Sequence, residues 1–324
     1  PPGGGFLLAN GDRVRIDTPV AIDTTELKLP SRAGGSVGEA YGRTFSFYKH
    51  EDLPEKLQGV YLSRITNGET EWKAEHNQLI DPGAVRYTDN NLFPVVWWGD
   101  IQQTSAGALV AGVYPGFFLN DEGKVDPCGV LFYQSTDNGR SWSRLGQIAY
   151  EPELEHDPKG DQRYALGFTE PAFHILANGT YLCVMRTTDG LGYSPMYISY
   201  SNDQGKTWTK PKVFTSTGVL PKLLQLDNNV IALASGRPGM QIRFSSDESG
   251  NEWTEPFELF PFEDDNVPLE AARKWKTLSC GYPELLKIGK DRFLIVYSDF
   301  AHINENGEER KAIKVREIIV NKAR

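Results

Sequence analysis

A short turn motif recurs three times along the chain, and this repetition limits the possible folds more than any other feature. The copies read STDNGRSW at 135–142, SNDQGKTW at 201–208 and, with one inserted residue, SSDESGNEW at 245–253. Each lies between two strand-like runs, so each predicts a hairpin turn. Aspartate can bond the backbone ahead of it, glycine can adopt positive φ, and tryptophan can pack over the loop. Regularly spaced hairpins of this kind indicate a repeat protein made of small sheets.

A second repeat begins each time with a proline. Glu170, Leu220 and Tyr282 each precede a proline that opens an apolar run, followed by a turn and a second apolar run. The proline suits the start of an edge-like strand, where its missing N–H does least harm. If the two runs are the innermost strands of a sheet, the residue before the proline and the residue ending the second strand meet at one mouth of a central channel. These mouth positions pair Glu170 with Arg186, Leu220 with Arg237, and Tyr282 with Asp299.

Together the repeats predict an all-β propeller of four-stranded blades. Blades are expected near 93–150, 167–214, 218–260 and 280–320, with 6–78 supplying at least one more and Phe93-Pro94 opening the first of the four. Five blades are countable in this way. The sequence has 32 glycines, 20 prolines and 11% aromatic residues, which suits many short strands and tight turns. Because no linker separates a second domain, residues 1–324 are expected to form a single propeller domain.

Charge and cysteine content exclude several classes of partner. The net charge of −9 argues against binding to nucleic acid or to an anionic membrane surface. No apolar stretch is long enough to span a bilayer. The three cysteines, Cys128, Cys183 and Cys280, are widely spaced and predict neither a disulfide framework nor a zinc site. We therefore expect a monomer without metal or cofactor.

The turn motifs, with Glu170-Pro171, Arg186, Arg237 and Tyr282 in that order, resemble the sialidases and their BNR (Asp-box) repeat relatives over roughly residues 93 to 300. The resemblance implies a sialidase-like β-propeller and favours six blades. It also implies that Tyr282 attacks the anomeric carbon, that Glu170 accepts the tyrosine proton, and that Arg186 and Arg237 bind the substrate carboxylate. Asp299 is a further candidate for substrate binding, as the mouth position paired with Tyr282.

These roles are chemically consistent. A carboxylate nucleophile would be repelled by a substrate carboxylate beside the anomeric carbon, whereas a neutral phenol is not, and sialidases are exceptions to the scheme with two catalytic carboxylates. A tyrosine of ordinary acidity needs a neighbouring base. Arginine suits the carboxylate because its planar fork donates two parallel charge-assisted hydrogen bonds.

Two aspartates compete for the role of acid/base catalyst. The resemblance places this group in a loop shortly before a turn motif, which fits Asp126, nine residues before Ser135. Asp100, just after Trp97-Trp98-Gly99, is the alternative. Trp98 belongs to an aromatic-rich stretch that can stack on a sugar ring or pack in the core, and it is a candidate substrate-binding residue.

The sequence departs from the family at its first arginine. Where sialidases carry Arg-Ile-Pro, this chain has Leu92-Phe93-Pro94. A third arginine would come from one of three N-terminal candidates, Arg43, Arg64 or Arg86. The identity of the sugar therefore stays open.

Three functions follow as hypotheses. The first is an exo-acting glycoside hydrolase that uses Tyr282 to cleave a terminal, carboxylate-bearing sugar from a glycan. It would be secreted, periplasmic or on the cell surface. The second is a polysaccharide lyase or a histidine-dependent glycosidase that uses His174, His156 or His302. The third is a non-catalytic glycan-binding propeller, since a fold alone does not fix a function.

Overall fold

The computed structural model describes residues 6–16, 21–34, 36–40, 43–94, 98–163, 167–188, 194–237, 239–260 and 280–321. The chain forms two compact units. The N-terminal unit is Pro1–Pro171 with Gly205–Lys210, and the C-terminal unit is Ala172–Gln204 with Pro211–Arg324. No helix within the ranges just given is long and apolar enough to span a bilayer.

The N-terminal unit contains three groups of antiparallel strands. The first is β1 (Phe6–Leu7), β2 (Arg13–Ile16), β6 (Val60–Ile65) and β7 (Lys73–Ile80). The second, in spatial order, is β3 (Ala21–Asp23), β9 (Leu92–Pro94), β8 (Val85–Asp89), β5 (Arg43–Lys49) and β4 (Ser36–Ala40). The third is β10 (Trp98–Gln103), β11 (Leu109–Gly116), β12 (Gly129–Ser135) and β13 (Ser141–Ile148). A short parallel pairing of β7 with β13 joins the first group to the third.

Three further sheets follow along the chain. The first is β14 (Phe168–Ile175), β15 (Tyr181–Thr187), β16 (Met196–Ser201) and β17 (Lys212–Thr215). The second is β18 (Val219–Gln225), β19 (Ile231–Gly236), β20 (Met240–Ser245) and β21 (Phe257–Phe260). The third is β22 (Cys280–Lys287), β23 (Arg292–Ile303) and β24 (Glu309–Ile319). Short 3₁₀ helices lie at His50–Asp52, Glu55–Leu57 and Gly160–Gln162.

The core of the C-terminal unit lies between neighbouring sheets. Successive side chains of a strand point to opposite faces, and every residue of β19 is buried. Ile231 and Leu233 therefore pack in a cluster with Leu182 of β15, while Ala232 and Ala234 pack in a cluster that contains Phe293 of β23. A strand sequence that is apolar on both faces thus indicates that its sheet has another sheet packed on each side.

The three motif turns are held by their own polar side chains. Asp137 accepts hydrogen bonds from the N–H groups of Arg140 and Ser141 at 3.0 and 2.9 Å. Desolvation favours a higher pKa, but the hydrogen bonds to Asp137, above all the one from the Ser141 hydroxyl at 2.6 Å, outweigh it and hold the pKa of Asp137 below the ordinary value. Trp142 is fully buried and donates from Nε1 to the Gly139 carbonyl at 3.0 Å. Trp208 and Trp253 repeat this bond to the glycine three residues earlier.

The predicted start of the first blade was wrong. Phe93-Pro94 lies in β9, which pairs with β3 and β8, and the strand beside β11 is β10 instead. The cause is the turn Asn90-Asn91, where both residues have positive φ, at 47° and 65°. Two such residues form the type of turn that closes a tight hairpin, so β9 folds back onto β8.

The described strands form six groups, so the N-terminal region supplies two of them rather than the one that the repeats alone reveal. The two groups are difficult to recognise in the sequence because β3, β4 and β5 are inserted between β2 and its partner β6. The expectation that residues 1–324 form a single domain stays a prediction.

Candidate functional site

The residue before the proline has an unusual backbone conformation in all three repeats. Glu170, Leu220 and Tyr282 have φ values of 46°, 40° and 58°, and Arg237, also before a proline, has 52°. These values lie in the left-handed region, which non-glycine residues rarely occupy. Such conformations cost on the order of 1–3 kcal/mol each and cluster at functional sites. Their repetition at one position marks a feature that the fold maintains.

In the C-terminal unit these conformations coincide with β-bulges. The register of β18 on β19 shifts between Val219 and Lys222, and that of β22 on β23 shifts between Gly281 and Glu284. Proline has no N–H for the ladder, so regular pairing breaks where it enters the strand. A bulge changes the direction of the side chain it carries. Leu220 and Tyr282 lie in these two bulges.

Arg237 and Tyr282 are predicted site residues that the structure brings into contact. The guanidinium carbon of Arg237 lies 5.3 Å from the centre of the Tyr282 ring, within the range of a cation–π interaction. Arg237 follows β19 directly and is only 7% exposed. A Cβ built on Gly281 would lie 3.5 Å from Arg237 Nε, so the guanidinium runs along the backbone just before Tyr282.

Asp299 lies at the same end of this sheet. It is buried and pairs across the ladder with Cys280, two residues before Tyr282. Its neighbour Ser298 donates from Oγ to the Gly281 carbonyl at 2.6 Å. The strand that carries Tyr282 is therefore fixed to β23 on the N-terminal side of the bulge.

Arg186 and Glu170 occupy the corresponding ends of the β14–β17 sheet. Arg186 is half-buried near the end of β15, opposite Met196. Glu170 is half-buried near the start of β14. Both positions match those expected from the repeat.

The N-terminal candidates lie on β10 and on a loop after β11. Asp100 is half-buried on β10, opposite Gly112. Asp126 follows a small bridge between Leu119 and Val125, and its Oδ1 accepts a hydrogen bond from Asn120 Nδ2 at 3.0 Å. Trp98 begins β10, and its side chain lies outside the described part of the structure.

Two candidates for a third arginine have contacts inside the fold. Arg64 is buried and donates to both carboxylate oxygens of Glu75 at 2.8 and 2.9 Å. It also forms an ion pair with Asp12 at 3.2 Å. Arg86 donates to the Gly59 carbonyl at 2.6 Å, and desolvation lowers its pKa. Arg64 is thus a structural residue, and the side chain of Arg43 lies outside the described residues.

The three histidines of the second hypothesis lie in different segments of the chain. His174 is half-buried on β14, and His156 is largely exposed, 3.6 Å from Glu153. His302 lies on β23, where its Nδ1 is 2.9 Å from Lys314 Nζ. Within the described residues, no group of three or more His, Cys, Asp or Glu side chains is arranged to hold a metal ion.

Sequence reasoning did not foresee the left-handed backbone at the mouth positions or the stacking of Arg237 on Tyr282. A residue before proline is normally expected to be extended. The signal in the sequence is the proline itself, because it lacks the N–H that regular pairing needs at that position. The stacking joins two sheets, and the chain order alone does not predict it.

Comparison with known proteins is consistent with this architecture. A protein of unknown function from Dyadobacter fermentans aligns with 98% of this chain and 76% of its own length, at 19% identity and a TM-score of 0.62. An α-L-arabinanase from Penicillium chrysogenum aligns with 67% of this chain and 60% of its own, at 15% identity and a TM-score of 0.45. A sialidase from Streptococcus pneumoniae aligns with 90% and 51%, at 13% identity and 0.45. At 19% identity, the likeness to the Dyadobacter protein concerns the fold alone.

The family comparison is more specific. The family model described as a BNR repeat-like domain matches residues 37–293, most of the chain. A search of curated proteins found no sequence match to this chain. The family match and the sheets described above confirm the predicted all-β, sialidase-like β-propeller. The chain belongs to the family of proteins with a BNR repeat-like domain.

Proposed function

We propose that this protein is an exo-acting glycoside hydrolase that cleaves a terminal, carboxylate-bearing sugar from a glycan, with Tyr282 as the nucleophile. The observation that carries the proposal is the pairing of Tyr282 with Arg237 at a bulged, left-handed strand start. A tyrosine that only packs in a sheet does not need a guanidinium over its ring.

The guanidinium has two uses in such a reaction. An attacking tyrosine gives up its proton and gains negative charge, and a nearby positive charge favours that change. The same group can donate two parallel hydrogen bonds to a substrate carboxylate. Arg237 is largely buried, so a carboxylate bound there would be shielded from water and held more strongly than at an exposed arginine.

The roles of the remaining residues are proposed from the repeat. Glu170 has the same position before proline and the same left-handed φ as Tyr282, and we assign it as the base. Arg186 lies one residue before the end of β15, whereas Asp299 lies within β23, which continues to Ile303 rather than ending there as the repeat predicts. We assign both to substrate binding. Asp126 and Asp100 remain the two candidates for the acid, and Trp98 a candidate for sugar stacking.

The protein is proposed to act outside the cytoplasm on glycans. Cys128 and Cys183 are both buried, and desolvation raises the pKa of Cys128 to about 12. The Cys128 thiol is therefore poorly reactive and is compatible with an oxidising compartment.

A panel of aryl glycosides of sialic acid, uronic acids and neutral sugars tests the class of reaction. We expect release of the aryl group from an acidic sugar, and loss of that activity in Tyr282→Phe with the fold retained. Tyr61→Phe, which removes a phenol oxygen from a ring stacked on His76, is the matched control and should stay active. Binding without turnover across the panel would instead support a glycan-binding propeller, and formation of an unsaturated product would support a lyase.

Substrate charge is tested separately. If Arg237 binds a carboxylate, inhibition by a sugar acid should be stronger than inhibition by its neutral amide. Arg237→Lys should lose most of that preference, because an ammonium cannot reproduce the two parallel hydrogen bonds, each worth roughly 1.5–3 kcal/mol. Equal inhibition of the wild type by acid and amide would refute the anionic substrate.

A further inference from the structure

Among the described residues, the sheet β22–β24 ends on β24, with no further strand beside it. In the two preceding sheets the third strand has a fourth beside it: β17 pairs with β16, and β21 pairs with β20. In the described part of the chain no strand pairs with the outer edge of β24. An open edge presents a row of backbone N–H and C=O groups that can pair with another chain.

The edge is also long and apolar at its centre. β17 and β21 have four residues each, whereas β24 has eleven. Ile313 and Val315 are 71% and 57% exposed, side by side on the same face of the strand. Proteins normally blunt open edges with short strands, bulges or charged side chains. β24 is long and has a regular register on β23 from Ile319 back to Ala312, and its charged residues Lys311 and Glu317 can pair with each other across two copies.

The exposed face of β24 is complementary to itself. If two copies pair antiparallel about Lys314, Lys311 lies opposite Glu317 of the second copy, and Ile313 lies opposite Val315 of the second copy. Twofold symmetry makes each pair occur twice. The junction then has four apolar side chains at its centre and an opposite-charge pair on either side, an arrangement that stabilises antiparallel strands.

Lys314 itself does not oppose this pairing. It lies on the other face of the strand from Ile313 and Val315, where it is half-buried. Its Nζ is 2.9 Å from His302 Nδ1 on the neighbouring strand β23. The ammonium is thus directed away from the edge, where two copies of Lys314 would otherwise meet.

We propose that β24 is a dimerisation edge, through which two copies of this chain form one continuous six-stranded antiparallel sheet. The sequence predicts a monomer instead, and the measurement below distinguishes the two states. It is independent of the proposed hydrolase activity, because it uses no residue assigned to catalysis or substrate binding.

Light scattering coupled to size exclusion tests the proposal over a range of protein concentrations. The wild type should show a mass twice the 36.2 kDa of one chain. Lys311→Glu and Glu317→Lys should each raise the dissociation constant by about tenfold or more, because each single change places like charges opposite one another twice. The double variant Lys311→Glu/Glu317→Lys restores opposite charges and should restore the dimer.

The control is Glu305→Lys, a charge reversal at an exposed turn residue of the same sheet, which should leave the mass unchanged. Glu317 forms an ion pair with Arg292, and Lys311 lies over the Phe300 ring. Circular dichroism should show the same fold for all variants, because every substituted side chain is exposed and such surface contacts contribute little to stability. A wild type of single-chain mass up to about 100 μM would overturn the proposal. So would a dimer that the single reversals leave intact, since it would use another surface.

Discussion

His50 is a buried imidazole that the fold keeps neutral, so acid should destabilise the N-terminal unit. Its Nε2 accepts a hydrogen bond from the Gly59 N–H at 2.7 Å, which a protonated ring cannot do. Desolvation, with a smaller contribution from the Arg86 guanidinium, lowers the pKa of His50 from 6.5 to about 4, and the Asp81 carboxylate offsets part of this shift.

The direction of the effect follows from proton uptake. Between pH 6.5 and 4 the unfolded chain binds a proton at His50 and the folded chain does not, so stability falls as the pH falls. The stability that the neutral ring allows is fully present above pH 6.5 and is lost by about pH 4. A pKa difference of this size corresponds to roughly 3 kcal/mol of unfolding free energy.

Urea unfolding at pH 7 and pH 4 measures this for the wild type and His50→Gln. Glutamine can accept the Gly59 N–H but does not titrate, so the wild type should lose about 3 kcal/mol relative to the variant on acidification. His156→Gln removes an exposed imidazole and should follow the wild type. Parallel pH dependence of wild type and His50→Gln would refute the reasoning, because other titrating groups contribute equally to both.

Two further predictions concern packing. Trp142→Ala should cost about 3–5 kcal/mol of unfolding free energy, and Trp208→Ala less, because the first ring is fully buried and the second half-buried. Urea unfolding followed by circular dichroism measures both losses. A larger loss for Trp208→Ala would contradict the packing role given to these two rings. Gly99→Ala should lower the melting temperature, because its Cβ would overlap the backbone carbonyl oxygen of Gly112. Gly83→Ala should not, because its Cβ would meet only a side-chain oxygen at 3.6 Å. Equal melting temperatures of the two variants would refute this.

Part of the fold can be predicted from sequence because the interactions that form it lie within short segments of the chain. The carboxylate of Asp137 bonds N–H groups only three and four residues ahead, so the motif that encodes the turn is contained in one short segment. The apolar character of both faces of β19 is likewise a property of one strand. Features of this kind predicted the blades between residues 167 and 260.

Other features depend on partners distant in the chain. β6 pairs with β2 across an inserted group of strands, and no pattern within β6 indicates this. The candidate site depends both on local sequence and on contacts between distant segments. The prolines next to Glu170 and Tyr282 mark the mouth positions, but the contact of Arg237 with Tyr282 depends on how two sheets pack, which local patterns do not encode.

Covalent capture of Tyr282 tests the central claim most directly. A fluorinated sugar acid with a good leaving group would slow breakdown of a glycosyl-enzyme more than its formation, so that the intermediate accumulates. Peptide mass mapping should then find the sugar on the peptide that contains Tyr282, and find none in Tyr282→Phe. Turnover of an acidic aryl glycoside with no adduct on that peptide, and with equal rates in wild type and Tyr282→Phe, would contradict the proposed nucleophile.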